Sequence, residues 1–237
     1  MFDAILFDLD GTLINNNMRT FVDEYFSTLG PRIEQYCPDG DYVSAVLEAN
    51  KPMFRSKKSR AALQTLFLRE FKNITGLDEK KVKKIFYDYY ENEYKNINVV
   101  KPVKYALECL HAAAKITDNI VVATVPIFPV VAIRQRLIWG NITNYNFKLI
   151  TGCDVMHSSK PYPEYYLEIT KKLKCDPEKC LMIGNDHIDD LSAKAVGMQT
   201  FLVKKHQVNR GRGVYKADHS GNMKALIRFL KKAKARI

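Results

Sequence analysis

The chain has no CxxC pair, and its five cysteines (Cys37, Cys109, Cys153, Cys175 and Cys180) are odd in number. Both facts argue against a disulfide framework or a structural zinc site and favour reduced, buried thiols. Long apolar runs are also missing: the longest, Ile120–Ile133, is broken by Pro126 and Pro129 and is too short to span a bilayer. The opening residues MFDAILFD leave no room for a charged segment followed by an apolar one, so no signal peptide is expected and the protein reads as cytoplasmic. Internal repeats are absent, and the lysine-rich tail is the one biased segment. Acids are scarce there: from Lys204 to Ile237, eleven Lys and Arg face a single acid, Asp218. Such a block can draw nucleic acid or an acidic surface. Here Ala225, Leu226, Phe229 and Leu230 give the last helix an apolar face, which makes its lysines the wet side. Without interleaved aromatics or a recognition motif, nucleic acid is not an expected partner.

What is present is ordinary in bulk: 237 residues, 46% hydrophobic and 27% charged, enough for one globular domain or two. The informative segment is DAILFDLDGTLI at residues 3–14. Ala4, Ile5, Leu6 and Phe7 predict a buried strand that Gly11 ends. Asp8 and Asp10 then emerge at its carboxyl end, the edge of an open α/β sheet where ligands bind. Two acids so placed either gather a metal ion or cap a solvated turn.

A long helical stretch comes next. Met18–Tyr36, Tyr42–Asn50, Arg60–Phe71 and Glu79–Tyr94 each carry apolar residues at helical spacing, as at Val43, Val46 and Leu47. This is far longer than an ordinary crossover between parallel strands, so residues 15–98 are expected to form an inserted all-helical domain. Residues 1–14 and 99–237 would form the α/β core. From Pro102, helices and strands alternate. Helices are expected at Pro102–Lys115, Pro129–Trp139, Pro163–Leu173 and Ile188–Val196, and strands at Asn119–Thr124, Phe147–Gly152, Cys180–Gly184 and Gln199–Val203. The alternation predicts a Rossmann-like, doubly wound parallel sheet covered on both faces.

Further polar residues fall where these strands should end: Thr124, then Lys160, then Gly184-Asn185-Asp186 with Asp190 four residues on. Taken singly, a threonine caps a strand, a Lys-Pro makes a surface turn, and acids favour a helix N-terminus. Together with Asp8 and Asp10 they suit phosphoryl transfer, in which a carboxylate nucleophile divides one hard displacement into two. Lys160, Thr124 and Mg²⁺ would balance the charge, with Asp186 and an Asp8 oxygen on the metal.

The chain resembles the haloacid dehalogenase superfamily, whose four motifs match Asp8-Leu9-Asp10-Gly11-Thr12, Thr124, Lys160-Pro161, and Gly184-Asn185-Asp186 with Asp190, in that order. The resemblance implies that Asp8 is the nucleophile and Asp10 the general acid/base, the latter giving a Mg²⁺ ion its main-chain carbonyl. Thr124, the amide of Val125 and Lys160 would hold the phosphoryl group. Asp186 would bind the metal with Asp190 in support. Helices inserted after the first motif resemble the superfamily's C1 cap, hinged at Asn15–Asn17 and before Lys101. Val125-Pro126 departs from many relatives, which carry Asn after the threonine, and Asn185 stands where many have Asp directly after Gly.

The expected activity is Mg²⁺-dependent hydrolysis of a small phosphorylated metabolite. A dehalogenase has no use for the clustered acids, and a phosphonatase is expected to lack Asp10. The alternatives left are a phosphomutase or other phosphotransferase and, in a different class, a non-catalytic binding module using the basic tail. Arg19, Lys51 and Arg55 are candidates for a second anionic group, although a solvated face explains each equally well.

Overall fold

The computed structural model describes residues 2–36, 40–97, 99–143, 145–211 and 213–235. Cys37 and residue 98, at the expected end of the inserted helices, lie outside them. In chain order the elements are β1 (Ala4–Phe7), β2 (Ile14–Asn15), α1 (Met18–Glu34), α2 (Tyr42–Phe54), α3 (Leu63–Thr75), α4 (Glu79–Asn92), β3 (Lys101–Pro102) and α5 (Ala106–Ala114). They continue with β4 (Ile120–Val122), α6 (Val130–Trp139), β5 (Leu149–Ile150), α7 (Pro163–Leu173), β6 (Cys180–Gly184), β7 (Gln199–Val203), β8 (His219–Gly221) and α8 (Met223–Lys234).

The main sheet is parallel throughout, in the order β5-β4-β1-β6-β7-β8. β1 lies between β4 and β6, so the chain winds outward from it in both directions. That reversal opens a crevice at the carboxyl ends of the strands, directly beyond Phe7. Alternation along β1 sorts its side chains between layers. Ile5 and Phe7 join the core under α5 and α8, while Ala4 and Leu6 pack with Tyr165 and Tyr166 of α7. All four are fully buried, which is why the segment reads as an unbroken apolar run.

Helices α1 to α4 succeed one another without a strand, as the periodicity predicts. Their entry and exit are tied together, because β2 pairs antiparallel with β3 in the register Ile14 with Pro102 and Asn15 with Lys101. The helices dock on the core through main-chain hydrogen bonds. Leu63 and Gln64 donate to the carbonyls of Met156 and Cys153 (both 2.8 Å), Ser59 donates to His157 (2.8 Å), and Ser159 donates back to Ser56 (2.9 Å).

Four expectations need correction. α5 starts at Ala106 rather than Pro102, because Lys101 and Pro102 pair with β2 as β3. α2 continues past Asn50-Lys51-Pro52 to Phe54, because burial of Met53 outweighs the hydrogen bond the proline removes. α3 starts at Leu63 rather than Arg60 and runs to Thr75, where Gly76 supplies the left-handed cap. Ile188–Val196 is not an α-helix but a turn leading into a 3-10 helix over Leu191–Val196. There the Asp186 side chain takes the N–H groups of Ile188 and Asp189, so the ladder cannot start from them. At the other end, α8 buries Met223, Leu226 and Leu230, which leaves its basic residues on the solvent side as expected. Cys109, Cys153 and Cys180 are buried free thiols, and Cys175 is half-buried. Among the described residues no helix is long and apolar enough to cross a membrane.

Leu6 tests the central layer. Leu6→Ala should lower the unfolding free energy by about 2–5 kcal/mol, measured by urea denaturation.

Candidate active site

Asp8 comes directly after β1, and its N–H donates to the Ile183 carbonyl of β6 at 2.8 Å, which fixes it over the crevice. Lys160, fully buried, reaches it from the loop before α7. Its Nζ donates to Asp8 Oδ1 at 3.0 Å and to Asp190 Oδ1 at 2.6 Å. The other Asp190 oxygen accepts the N–H groups of Asn185 and Asp186, both at 2.8 Å. This fold-back requires Gly184, since a Cβ there would lie 2.0 Å from Asp190 Oδ2. Gly11 is equally constrained: its φ is +80°, and a Cβ would meet the Asn185 amide at 2.4 Å. Thr12 donates to the same Asn185 side chain at 3.2 Å, which joins the first motif to the fourth.

Thr124 is buried beyond β4. Its N–H donates to Thr151 Oγ1 at 3.0 Å, and its carbonyl accepts from Tyr165 at 2.8 Å. Among the described residues, neither its hydroxyl nor the Val125 N–H has a protein partner. Both therefore remain available to a ligand's oxygens. Asp8, Thr124, Lys160, Asp186 and Asp190 thus sit at the carboxyl edge of the sheet. The three basic candidates do not join them: Arg19, Lys51 and Arg55 are exposed, and Lys51 pairs with Glu48.

Several residues that contact this site were not singled out from the sequence. Arg136 of α6 is buried and pairs with Asp10, its guanidinium flanked by the rings of Phe21 at 4.8 Å and Phe128 at 5.5 Å. Asn16 donates to the same Asp10 oxygen, Oδ1, at 3.2 Å, so both donors converge on one atom and Oδ2 stays free of them. Arg210, half-exposed on the loop after β7, pairs with Asp186 Oδ2 at 2.8 Å and with Asp189 at 3.1 Å. One sequence signal for Arg136 was available: an arginine on the otherwise apolar face Ala132, Ile133, Leu137 needs a buried partner.

Burial pushes the Asp8 carboxyl well above the ordinary carboxylate range, and the charge of Asp190 adds to this against the pull of Lys160. Burial alone would lower the Lys160 ammonium, but Asp190 and Asp8 outweigh it and hold the group well above its usual value. The site is thus short of positive charge around Asp8. Its free donors are oxygens: Asp8 Oδ2 and the Asp10 carbonyl, which receives no N–H among the described residues. Asp186 adds a carboxylate held by a half-exposed arginine. That set suits a hard divalent ion. Among the described residues no three His, Cys, Asp or Glu side chains converge as a cage.

The profile of the haloacid dehalogenase-like hydrolases matches residues 2–197. Two relatives are pyrophosphatase PpaX of Bacillus velezensis, 26% identical over 83% of this chain and 81% of its own, and phosphoglycolate phosphatase of Aquifex aeolicus, 26% identical over 84% and 83%. Among solved structures, 2-haloacid dehalogenase from Pseudomonas syringae pv. Tomato superposes with a TM-score of 0.63 at 18% identity, over 98% of this chain and 100% of that one. A HAD phosphatase from Thermococcus onnurineus gives 0.58 at 18% identity, over 96% and 97%. At these identities the structural likeness establishes the fold.

A carboxyl raised in the folded state holds its proton at pH values where the unfolded chain has already released it. Stability from this group is therefore greatest below the ordinary carboxylate range and falls as pH rises toward the raised value. In metal-free buffer Asp8→Asn should melt above wild type near neutral pH, with the gap closing toward pH of about 4. Equal melting temperatures at both pH values would show that Asp8 carries no such burden.

Proposed function

The chain belongs to the haloacid dehalogenase-like hydrolases, and on that basis we propose that it is a Mg²⁺-dependent phosphatase acting on a small phosphorylated metabolite through an aspartyl-phosphate on Asp8. The observation that carries this reading is the single ammonium of Lys160 shared by Asp8 and Asp190 at the crevice of the sheet. A carboxylate kept beside a fixed cation in a dry site is placed to meet a phosphoryl group. The names of the two curated relatives, a pyrophosphatase and a phosphoglycolate phosphatase, point to the same reaction class.

In this reading one carboxylate oxygen of Asp8 attacks phosphorus, the other serving the metal, and the bond from phosphorus to the leaving oxygen breaks. Asp10, held at Oδ1 by Arg136 and Asn16, gives the leaving oxygen a proton from Oδ2. It then takes a proton from the water that attacks the aspartyl-phosphate, which releases inorganic phosphate and restores Asp8. Lys160, the Thr124 hydroxyl and the Val125 N–H hold the phosphoryl oxygens throughout. Asp8, the Asp10 carbonyl and Asp186 would hold Mg²⁺, supported by Asp190. When bound, the ion supplies the positive charge that offsets the crowded carboxylates and polarises the phosphoryl group. Helices α1 to α4 act as the cap, hinged where β2 pairs with β3, and exclude water while the acyl-phosphate forms.

Hydrolysis of a chromogenic phosphate ester should require Mg²⁺, stop with EDTA and vanish in Asp8→Asn. Activity that survives the substitution overturns the nucleophile assignment. Lys160→Ala should lower kcat by about 10²–10³. Arg210 competes with the metal for Asp186, and a pair whose arginine is half in solvent is worth about 0.2–1 kcal/mol. Arg210→Gln should therefore lower the Mg²⁺ concentration for half-maximal activity by roughly 1.5- to 5-fold, read by titration.

A further inference from the structure

α6 carries one side chain that packing does not explain. Ala132, Ile133 and Leu137 are buried along it, and Arg136 is buried with them. The arginine side chain is 3% exposed, against 24% for the Asp10 side chain it pairs with. Among the described residues Asp10 is its only hydrogen-bond partner, and its Nε is buried with none. A buried ion pair is weak support for stability, and apolar residues of like volume often serve a fold as well or better. What the arginine does for Asp10 accounts for it instead.

Two constraints meet on that carboxylate. Asp10 cannot turn away without stranding a buried charge, so the pair fixes its rotamer. Asn16 donates to the same oxygen, Oδ1, at 3.2 Å, which keeps both donors off Oδ2. The guanidinium is in turn held by rings from two separate parts of the chain. Phe21 of α1 lies 4.8 Å from it and Phe128, on the loop after Thr124, 5.5 Å. These two rings meet edge to face at 5.9 Å, and Tyr94 packs on both, at 6.4 Å and 6.3 Å. A cation between such rings gains from their faces only while both stay in place. One of them, Phe21, belongs to the inserted helices.

From this geometry we infer that Arg136 is a positioning residue for proton transfer by Asp10, and that Phe21 makes this positioning depend on the seating of α1. Among the described residues Arg136 makes no hydrogen bond to Asp8, Thr124, Lys160 or Asp186, so the hold on the phosphoryl group is separate from it. The inference rests on the phosphatase reading and adds which event the arginine serves. As the bond from phosphorus to the leaving oxygen breaks, its electron pair stays on that oxygen, and the proton from Asp10 Oδ2 joins it there.

The test varies the need for that proton. A dinitrophenolate departs unprotonated, whereas a phenolate gains from an acid, and kcat/KM covers the steps up to departure. It is measured with 2,4-dinitrophenyl and phenyl phosphates, in Mg²⁺, for wild type, Arg136→Met, Phe21→Leu and Asp10→Asn. Arg136→Met keeps the bulk of the side chain and removes its charge. It should lower kcat/KM for phenyl phosphate by about 10²-fold, and the loss for the dinitrophenyl ester should be smaller by a factor of roughly ten or more. Asp10→Asn should show the same split at greater size and Phe21→Leu at smaller size. Equal losses for the two esters in Arg136→Met, or no loss, mean that the arginine only packs; either result overturns the inference and leaves the phosphatase reading intact. If Arg136→Met does not melt cooperatively, Phe21→Leu decides by the same comparison, and equal losses or no loss there overturn the inference. Absence of any Asp8-dependent hydrolysis in wild type overturns the phosphatase reading and the inference together.

Discussion

One ammonium group between two carboxylates organises the crevice. Lys160 Nζ has no solvent contact, so its charge must be met inside the protein, and Asp8 meets it from the end of β1 and Asp190 from the turn after β6. Deleting one member of a buried pair typically costs about 3–5 kcal/mol, because the partner's charge is left stranded. Here the balance is already uneven, with more acid than base around one cation. The fold therefore biases Asp8 toward holding a proton. That unease suits a group meant to react, and it explains why a cation that arrives with the substrate would be welcome.

The catalytic edge was largely legible in the sequence because its chemistry is local. A strand that must be buried on both faces shows as four apolar residues, and the polar residues just beyond them must lie at the edge. The same logic placed Thr124 and Gly184. The acids that Arg136 and Arg210 meet were not visible, because each arginine reaches its partner across more than twenty residues of chain through packing that periodicity does not record. The failed helix at Ile188–Val196 has a related cause. Its apolar spacing is real, but the carboxylates of Asp186 and Asp190 claim the N–H groups around it for the site. Local propensity lost where the polar network needed the backbone.

The two halves of the site also differ in kind. Around Lys160 the surroundings are polar, with the carboxylates of Asp190 and Asp186 held by main-chain N–H groups. Beyond Thr124 the chain turns apolar at once, through Val125, Pro126, Ile127, Phe128 and Pro129. A phosphate is suited by the first environment, and the second packs against the inserted helices. Arg136 stands on the border, its charge given to Asp10 and its flat faces to Phe21 and Phe128.

The hydrogen bonds between residues 56–64 and 153–159 bind the inserted helices to the very stretch that ends at Lys160. Ser159, next to that lysine, keeps its N–H bonded to the Ser56 carbonyl. That bond crosses from the inserted helices to the core beside the buried ammonium. The position of the ammonium is thus tied, through its neighbour's main chain, to the packing of helices that lie far from it in the sequence.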